Sequence, residues 1–329
     1  LTVIAAQIAP QRSTQYSELA TVLAPYEILL SAVGSHLIDE ITLIQLGQQN
    51  YLKFELDTEI DVTLMQIIDN FAMTSGYFHY FDKIGDVTGP LLKPIEIPHD
   101  PPFPSSLIVT RRYRGKTNEL FTQFMCNLAR YSSDYAMTPW RDLTLLDPLS
   151  GGGTTLFVGL MLGADVVGVE KNQQIIEGTI SFIKQYMKEA RIPAKYREDR
   201  FKNLGKRWFI TLNKSFRCVV GRGNTSDVKH FVNGLKRPQL IVTDLPYGIQ
   251  HRAEWQSLLV DALPAWSDVM ADGGALVFSW DATRFPRDEM IEFVEEVSDY
   301  KVLNQPPYNQ LAHQVDRVIK HRDVLVARR

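Results

Sequence analysis

Apolar and polar positions alternate with two different periods along the chain, and the change of period divides it. Residues 1–8 alternate as a strand does, and from Tyr16 to Ala32 apolar side chains recur at helical spacing. Ile41–Leu46 and Tyr51–Leu56 flank a polar GQQN turn, which predicts a hairpin. Asp61–Met73 reads as a second helix with Asp61 as its cap. This β-α-β-β-α order predicts a small α+β domain over residues 1–90, ferredoxin-like but incomplete. The proline-rich stretch LLKPIEIPHDPPFP cannot form a regular helix, so residues 91–106 are expected to be a linker.

From residue 107 to 329 strands and helices alternate, which argues for a parallel sheet. Strands are expected at Leu143–Leu146, Asp165–Val169, Phe216–Val220, Leu240–Val242 and Ala275–Ser279. Helices are expected at Thr154–Leu162, Gln173–Ala190 and Trp255–Met270. Tyr300–Leu303 and Arg317–Ala327 read as two final strands with no helix between them, so an antiparallel edge strand should complete the sheet. The fold class is therefore α/β and doubly wound, with a smaller α+β domain in front. No internal repeat or low-complexity segment interrupts either part.

Composition narrows the function classes. No apolar run among the 329 residues approaches the roughly 18 to 20 of a membrane helix. The opening LTVIAAQIAP lacks the basic start of a signal peptide. Cys126 and Cys218 are the only cysteines, too few for a disulfide scaffold, and they form no metal-ligand pattern. A reduced, cytoplasmic, metal-free protein is the expectation. The formal charge of −3 is unevenly spread: the first hundred residues are acidic, and two later stretches are basic. One is Arg111-Arg112-Tyr113-Arg114-Gly115-Lys116, and the other runs from Lys184 to Arg217. Positive charge gathered on part of a nearly neutral protein fits a polyanionic partner; a solvated helical surface explains the second stretch equally well.

The segment Leu145–Thr155, LLDPLSGGGTT, passes from a buried strand through glycines into a helix. Glycine lets a ligand approach backbone that a Cβ would block, and the helix start offers unpaired N–H groups. About twenty residues on, VVGVE ends a strand on Glu170, the spacing with which doubly wound folds hold a ribose. A dinucleotide site would show GxGxxG and would be repelled by Asp147. S-adenosylmethionine, with its ammonium and sulfonium, suits that acid better. A plain strand-to-helix turn is the bland alternative for the glycines taken alone.

Thr243–Gly248, TDLPYG, follows a further buried strand. As a bare sequence it is a good turn. In this position it has the chemistry to methylate an exocyclic base amine, whose lone pair is delocalised into the ring. The Asp244 carboxylate and the backbone carbonyl of Leu245 can each accept one amine hydrogen, aiming the lone pair at the methyl group. Pro246 fixes the turn and Tyr247 supplies a ring for the base to stack on. Gln305-Pro306-Pro307-Tyr308 is a decoy, because no acid or amide immediately precedes its prolines.

Together DPLSGGGTT, VVGVEKN and TDLPYG resemble the Rossmann-type, S-adenosylmethionine-dependent amino-methyltransferases with a (D/N)PPY signature. Within that group the resemblance is to the tRNA guanosine-N2 methyltransferases, often joined to a THUMP domain. RRYRGKTNELFTQFMCNLA is similar to their upstream loop and helix, with Gly115, Thr117 and Asn127 at matching positions. The resemblance implies a methyltransferase domain over 107–329 and an RNA substrate. It implies that Thr117, Asp147, Gly151, Gly153 and Thr154 hold the methionine end of the donor and Glu170 its ribose. Asn224 or Asp227 would meet the adenine, and Arg111, Arg112 and Arg114 the phosphates. Leu245 replaces the first proline of the signature, and no complete THUMP domain is visible. A DNA adenine-N6 or cytosine-N4 amino-methyltransferase, or a catalytically silent RNA-binding protein of the same fold, are the other functions this pattern admits.

Overall fold

The computed structural model describes residues 1–10, 18–113, 115–246, 252–315 and 321–329, with backbone alone at 252–254. The chain forms two compact units, Leu1–Asp100 with His313–Lys320, and Pro101–Ala312 with His321–Arg329.

The first unit contains β1 (Thr2–Ile8), α1 (Leu19–Leu30), β2 (Thr42–Leu46), β3 (Gln49–Leu56), α2 (Val62–Asp69), β4 (Thr74–Ile84) and β5 (Val87–Pro94). They build a five-stranded sheet of order β2-β3-β1-β4-β5 in which every neighbouring pair is antiparallel. The β-α-β-β-α-β succession is complete, because β4 supplies the strand the pattern of apolar residues did not reveal. Asp61 caps α2, accepting the Leu64 N–H at 2.8 Å. Fully buried Glu27 of α1 accepts the N–H groups of Ala72 and Met73, each within 3.0 Å, at the entry to β4. The expected linker needs correction at its start. Leu91 and Leu92 lie in β5, in register with Phe81 and Tyr80. The prolines that exclude a helix are tolerated on an edge strand, where one row of N–H groups has no ladder partner to lose.

The second unit opens with α3 (Ser106–Thr110) and α4 (Glu119–Tyr131). Then come β6 (Thr144–Asp147), α5 (Thr154–Leu162), β7 (Asp165–Glu170), α6 (Gln173–Glu189), β8 (Ala194–Phe201), β9 (Gly205–Leu212) and β10 (Phe216–Arg222). The rest is α7 (Val228–Val232), β11 (Leu240–Asp244), α8 (Arg252–Val269), β12 (Ala275–Asp281), α9 (Arg287–Val297), β13 (Lys301–Val302) and β14 (Arg322–Arg328). The nine-stranded sheet has the order β13-β14-β12-β11-β6-β7-β10-β9-β8. Its centre, β12-β11-β6-β7-β10, is parallel and wound outward from β6, as in a Rossmann-like sheet. β14 enters antiparallel between β12 and the two-residue edge strand β13. At the other edge β9 and β8 add an antiparallel hairpin to β10.

Burial explains why these stretches are strands. All seven residues of β12 are buried, and in β11 only Asp244 is not fully buried, as befits strands covered on both faces. Both thiols are buried, Cys126 in α4 and Cys218 in β10, and burial pushes the Cys218 thiol up to about 12. Phe231 of α7 is fully buried against the end of β10, where a Cβ on Gly221 or Gly223 would come within 2.5 Å of its ring. Phe231→Ala should therefore cost about 3–5 kcal/mol of stability, measured as a lower midpoint in urea unfolding. Among the described residues no helix is long and apolar enough to cross a membrane.

Candidate functional site

The strand order reverses between β6 and β11, and ligands of such sheets bind beyond the carboxyl ends of the strands at that point. A cleft of about 1120 Å³ lies there. Its walls are the segments following β6, β7, β10 and β11, together with Tyr113, Gly115 and Thr117 and the α8 residues Ser257, Leu258 and Asp261.

Asp147 is the last residue of β6 and is buried. It accepts the Thr243 hydroxyl at 2.8 Å and the Leu149 N–H at 3.1 Å. Burial pushes its carboxyl up to about 6 against the pull of the Thr155, Thr243 and Leu149 donors, and the nearby Asp244 charge adds to the rise. The glycines after it turn the chain into α5 with positive φ at Gly151 (47°) and Gly153 (90°). Gly152 is the one without room: a Cβ there would meet the Tyr113 ring at 2.3 Å. Tyr113 also shares a hydrogen bond with the hydroxyl of Thr154, the first residue of α5. Gly151 differs, since a Cβ there would meet nothing within 4 Å.

Glu170 ends β7, and its carboxylate accepts the Asn172 N–H at 2.7 Å, while the Asn172 side chain caps α6. Past β10, Asn224 lines the cleft; Asp227, in the same turn, is not among the lining residues described. Trp266 of α8 donates to the Thr225 hydroxyl at 2.9 Å and anchors that turn.

Asp244 ends β11 and faces the cleft. Thr117 donates its hydroxyl to Asp244 Oδ2 at 2.6 Å, and the Ser279 hydroxyl donates to Oδ1. Leu245 is buried, and its N–H donates to the Ser279 carbonyl at 2.9 Å. Pro246 completes this wall, and Tyr247 lies outside the described residues.

The structure thus brings Thr117, Asp147, Gly151, Thr154, Glu170, Asn224, Asp244, Leu245 and Pro246 to one cleft. Gly153 stands at the helix start beside them, its Cβ position 3.4 Å from the Phe157 ring. Two other expectations are revised. Asn127 is fully buried within α4 and does not line the cleft described. Arg111 is half-buried, its guanidinium 5.3 Å from the Tyr113 ring centre and 5.6 Å from that of Phe182 on α6. Burial lowers its pKa, and it packs behind Tyr113 instead of reaching outward for a phosphate. Arg112 is exposed, and Arg114 lies outside the described residues. Tyr308 of the QPPY loop is held by Arg287, which donates to its carbonyl at 2.9 Å, and the loop is not part of the cleft.

Sequence reasoning overlooked Ser279, Thr243, Tyr113 and Asp261. Ser279 and Thr243 carried one signal, as polar residues near the ends of fully apolar strands. The second basic stretch falls at the end of α6 and on the β8–β9 hairpin, where ion pairs offset part of its charge. Arg197 and Arg207 pair with Asp199, each at 3.0 Å, and Arg200 pairs with Glu198 at 3.0 Å. No group of His, Cys, Asp and Glu able to hold a metal ion occurs among the described residues.

The cleft, its glycine turn and the acids at adjoining strand ends lie where doubly wound, Rossmann-like sheets hold nucleosides. No protein-family model and no curated protein matches the sequence. Among solved structures the chain is similar to TrmN from Thermus thermophilus, with 12% identity and a TM-score of 0.43. That match covers 88% of this chain but only 59% of the TrmN chain. It is also similar to the rRNA methyltransferase aviRa from Streptomyces viridochromogenes, with 14% identity, a TM-score of 0.42, and 68% and 92% of the two chains covered. A third is a putative RNA methyltransferase, PH1948, from Pyrococcus horikoshii, with 15% identity, a TM-score of 0.38, and 69% and 90% covered.

Proposed function

We propose that this chain is an S-adenosylmethionine-dependent methyltransferase that acts on RNA, with the exocyclic N2 amine of a guanosine in tRNA as its target. The observation that carries the proposal is the pair Asp147 and Asp244. They end the two strands that flank the reversal of the sheet and face one cleft.

The residues fit the donor. Asp147 places negative charge beside the glycine turn, where an ammonium or sulfonium is favoured and a pyrophosphate is not. Gly151 leaves open space at its Cβ position, Glu170 is set to accept ribose hydroxyls, and Asn224 lies beyond it for the adenine. When bound, the donor supplies a methyl group on a cationic sulfur. The chain's own residues prepare the acceptor. Asp244 and the Leu245 carbonyl take the two amine hydrogens, which localises the lone pair on nitrogen and turns it toward the methyl carbon. Held this way, the nitrogen would be presented to the methyl group that the donor would supply, and Asp244, already bonded to one amine hydrogen, would take the proton the nitrogen gives up. Leu245 serves as well as proline here because its carbonyl makes the contact. A guanosine within a helix must leave the stack to reach this depth.

Charge favours a nucleic-acid substrate on the catalytic unit. Residues 1–100 carry four Lys and Arg against thirteen Asp and Glu, whereas residues 101–329 carry thirty-one against twenty-five. The N-terminal unit therefore offers phosphates little, and the phosphate contacts belong to surface bases of the second unit such as Arg112. Tritiated methyl transfer to total tRNA, rRNA and DNA tests the assignment. Incorporation into tRNA is expected, incorporation into DNA alone would favour the base amines of DNA, and none in any pool would make the protein a silent binder.

The raised pKa of Asp147 gives a second expected outcome. The cationic donor binds the ionised carboxylate, so below about pH 6 binding must first remove a proton from Asp147. Donor affinity should fall roughly tenfold per pH unit below that value and level off above it. Asp147→Asn should bind weakly with no such slope, as calorimetry between pH 4.5 and 8 would show.

A further inference from the structure

We infer that Ser279 is a positioning residue that aims Asp244 and pins the peptide leading into Leu245, with Thr117 as its counterpart across the carboxylate; this rests on the proposed amino-methyltransferase reading. Ser279 and Asp244 are register partners on the parallel strands β12 and β11, so their side chains leave the sheet together on the same face. The Ser279 hydroxyl donates to Asp244 Oδ1, and its carbonyl accepts the N–H of Leu245 at 2.9 Å. One buried residue therefore fixes the side chain of Asp244 and the Asp244–Leu245 peptide, the plane next to the one that carries the Leu245 carbonyl. From the opposite side Thr117, in the segment before α4, donates to Oδ2 at 2.6 Å.

A carboxylate held at one oxygen can still turn about its Cβ–Cγ bond, whereas donors on both oxygens fix its plane. Hydroxyls also suit the task because they are neutral. A lysine or arginine at either place would draw the carboxylate into an ion pair and oppose the cationic donor. The clamp thus keeps Asp244 aimed at the amine, whose nitrogen becomes positive as the methyl group arrives. Misaiming costs rate, not affinity, because the bond strengthened by the clamp is fully made only in the transition state.

The test uses two analogues that need no RNA. Sinefungin carries an amine where the donor carries its methyl group, within reach of the same two acceptors, and S-adenosylhomocysteine carries nothing there. Ser279→Ala should weaken sinefungin about tenfold and S-adenosylhomocysteine less than twofold by calorimetry. Thr117→Val, which keeps side-chain volume, should show the same difference, so that the conclusion does not rest on the folding of one variant. In transfer assays kcat should fall about tenfold or more in both variants with the KM for RNA unchanged. An equal loss for both analogues, or no change in either, would overturn the clamp while leaving the donor site standing. A wild-type protein that binds neither analogue would instead defeat the donor-site reading, and the clamp with it.

Discussion

Asp244→Ala should lower methyl transfer by about a thousandfold while leaving donor affinity within roughly threefold. The amine of a purine is a poor nucleophile until both its hydrogens are held, and removal of Asp244 leaves only the Leu245 carbonyl to hold one. Without the carboxylate the developing positive charge on nitrogen also loses its counter-ion. Donor binding is nearly spared because, in the proposed arrangement, Asp244 meets the acceptor, whereas Asp147, Glu170 and the glycine turn hold the donor. Its charge adds to the raised pKa of Asp147, so alanine here should also shift the affinity profile of the donor to slightly lower pH. Asp244→Asn should be intermediate, since an amide keeps one acceptor and turns the other into a donor. Transfer rates at saturating donor, with calorimetric affinities for the same variants, check both halves of this prediction. A large loss of donor affinity with transfer preserved would exchange the roles assigned to the two acids.

Glu170→Ala should do the opposite, weakening donor binding by roughly a hundredfold and leaving the rate at saturation almost unchanged. A ribose diol gives two hydrogen bonds to a carboxylate, each worth about 1.5–3 kcal/mol, and the lower figure for both already accounts for that factor. Glu170 is suited to the role because β7 ends on it and the Asn172 N–H holds one of its oxygens at 2.7 Å. Part of the loss would come from releasing that contact, since Asn172 caps α6. Glu170→Gln, which keeps the acceptor for Asn172, separates the two contributions. Affinity for S-adenosylhomocysteine measured across the three proteins provides the readout, and a change below about threefold in Glu170→Ala would remove Glu170 from the ribose.

The site was legible in sequence where local chemistry fixed it. LLDPLSGGGTT placed a strand end at Leu146 and a helix start at Thr154; the helix begins there, and the strand runs one residue further, to Asp147. TDLPYG marked the end of β11, and β12 was recognisable because every residue but Ser279 and Asp281 is apolar or aromatic. What escaped was tertiary. Ser279 lies thirty-five residues from Asp244, and Tyr113 forty-one from Thr154, distances over which spacing says nothing of contact. Arg111 looked like a surface base because charge alone was visible, whereas the rings of Tyr113 and Phe182 draw it inward. Thr117, expected at the methionine end of the donor, was known only by its place in a loop, and its hydroxyl meets Asp244.

Some of the fold was hidden for related reasons. β8 reads AKYREDRF and is largely exposed, so it carries no alternation for a pattern to detect. In α9 only Met290 and Val294 are buried, too narrow an apolar stripe to stand out among its acids. β5 was masked by its prolines, which an edge strand accepts. In each case the missing information lies in how much of the element neighbours cover, and that is set by the sheet order.

The most direct measurement is mass spectrometry of nucleosides from tRNA incubated with the purified protein and donor bearing a deuterated methyl group. The predicted result is a labelled N2-methylguanosine that disappears with Asp244→Ala and survives in Arg112→Ala at reduced yield. Labelled nucleosides of equal yield from wild type and Asp244→Ala, or no labelled nucleoside with wild type, would contradict the account.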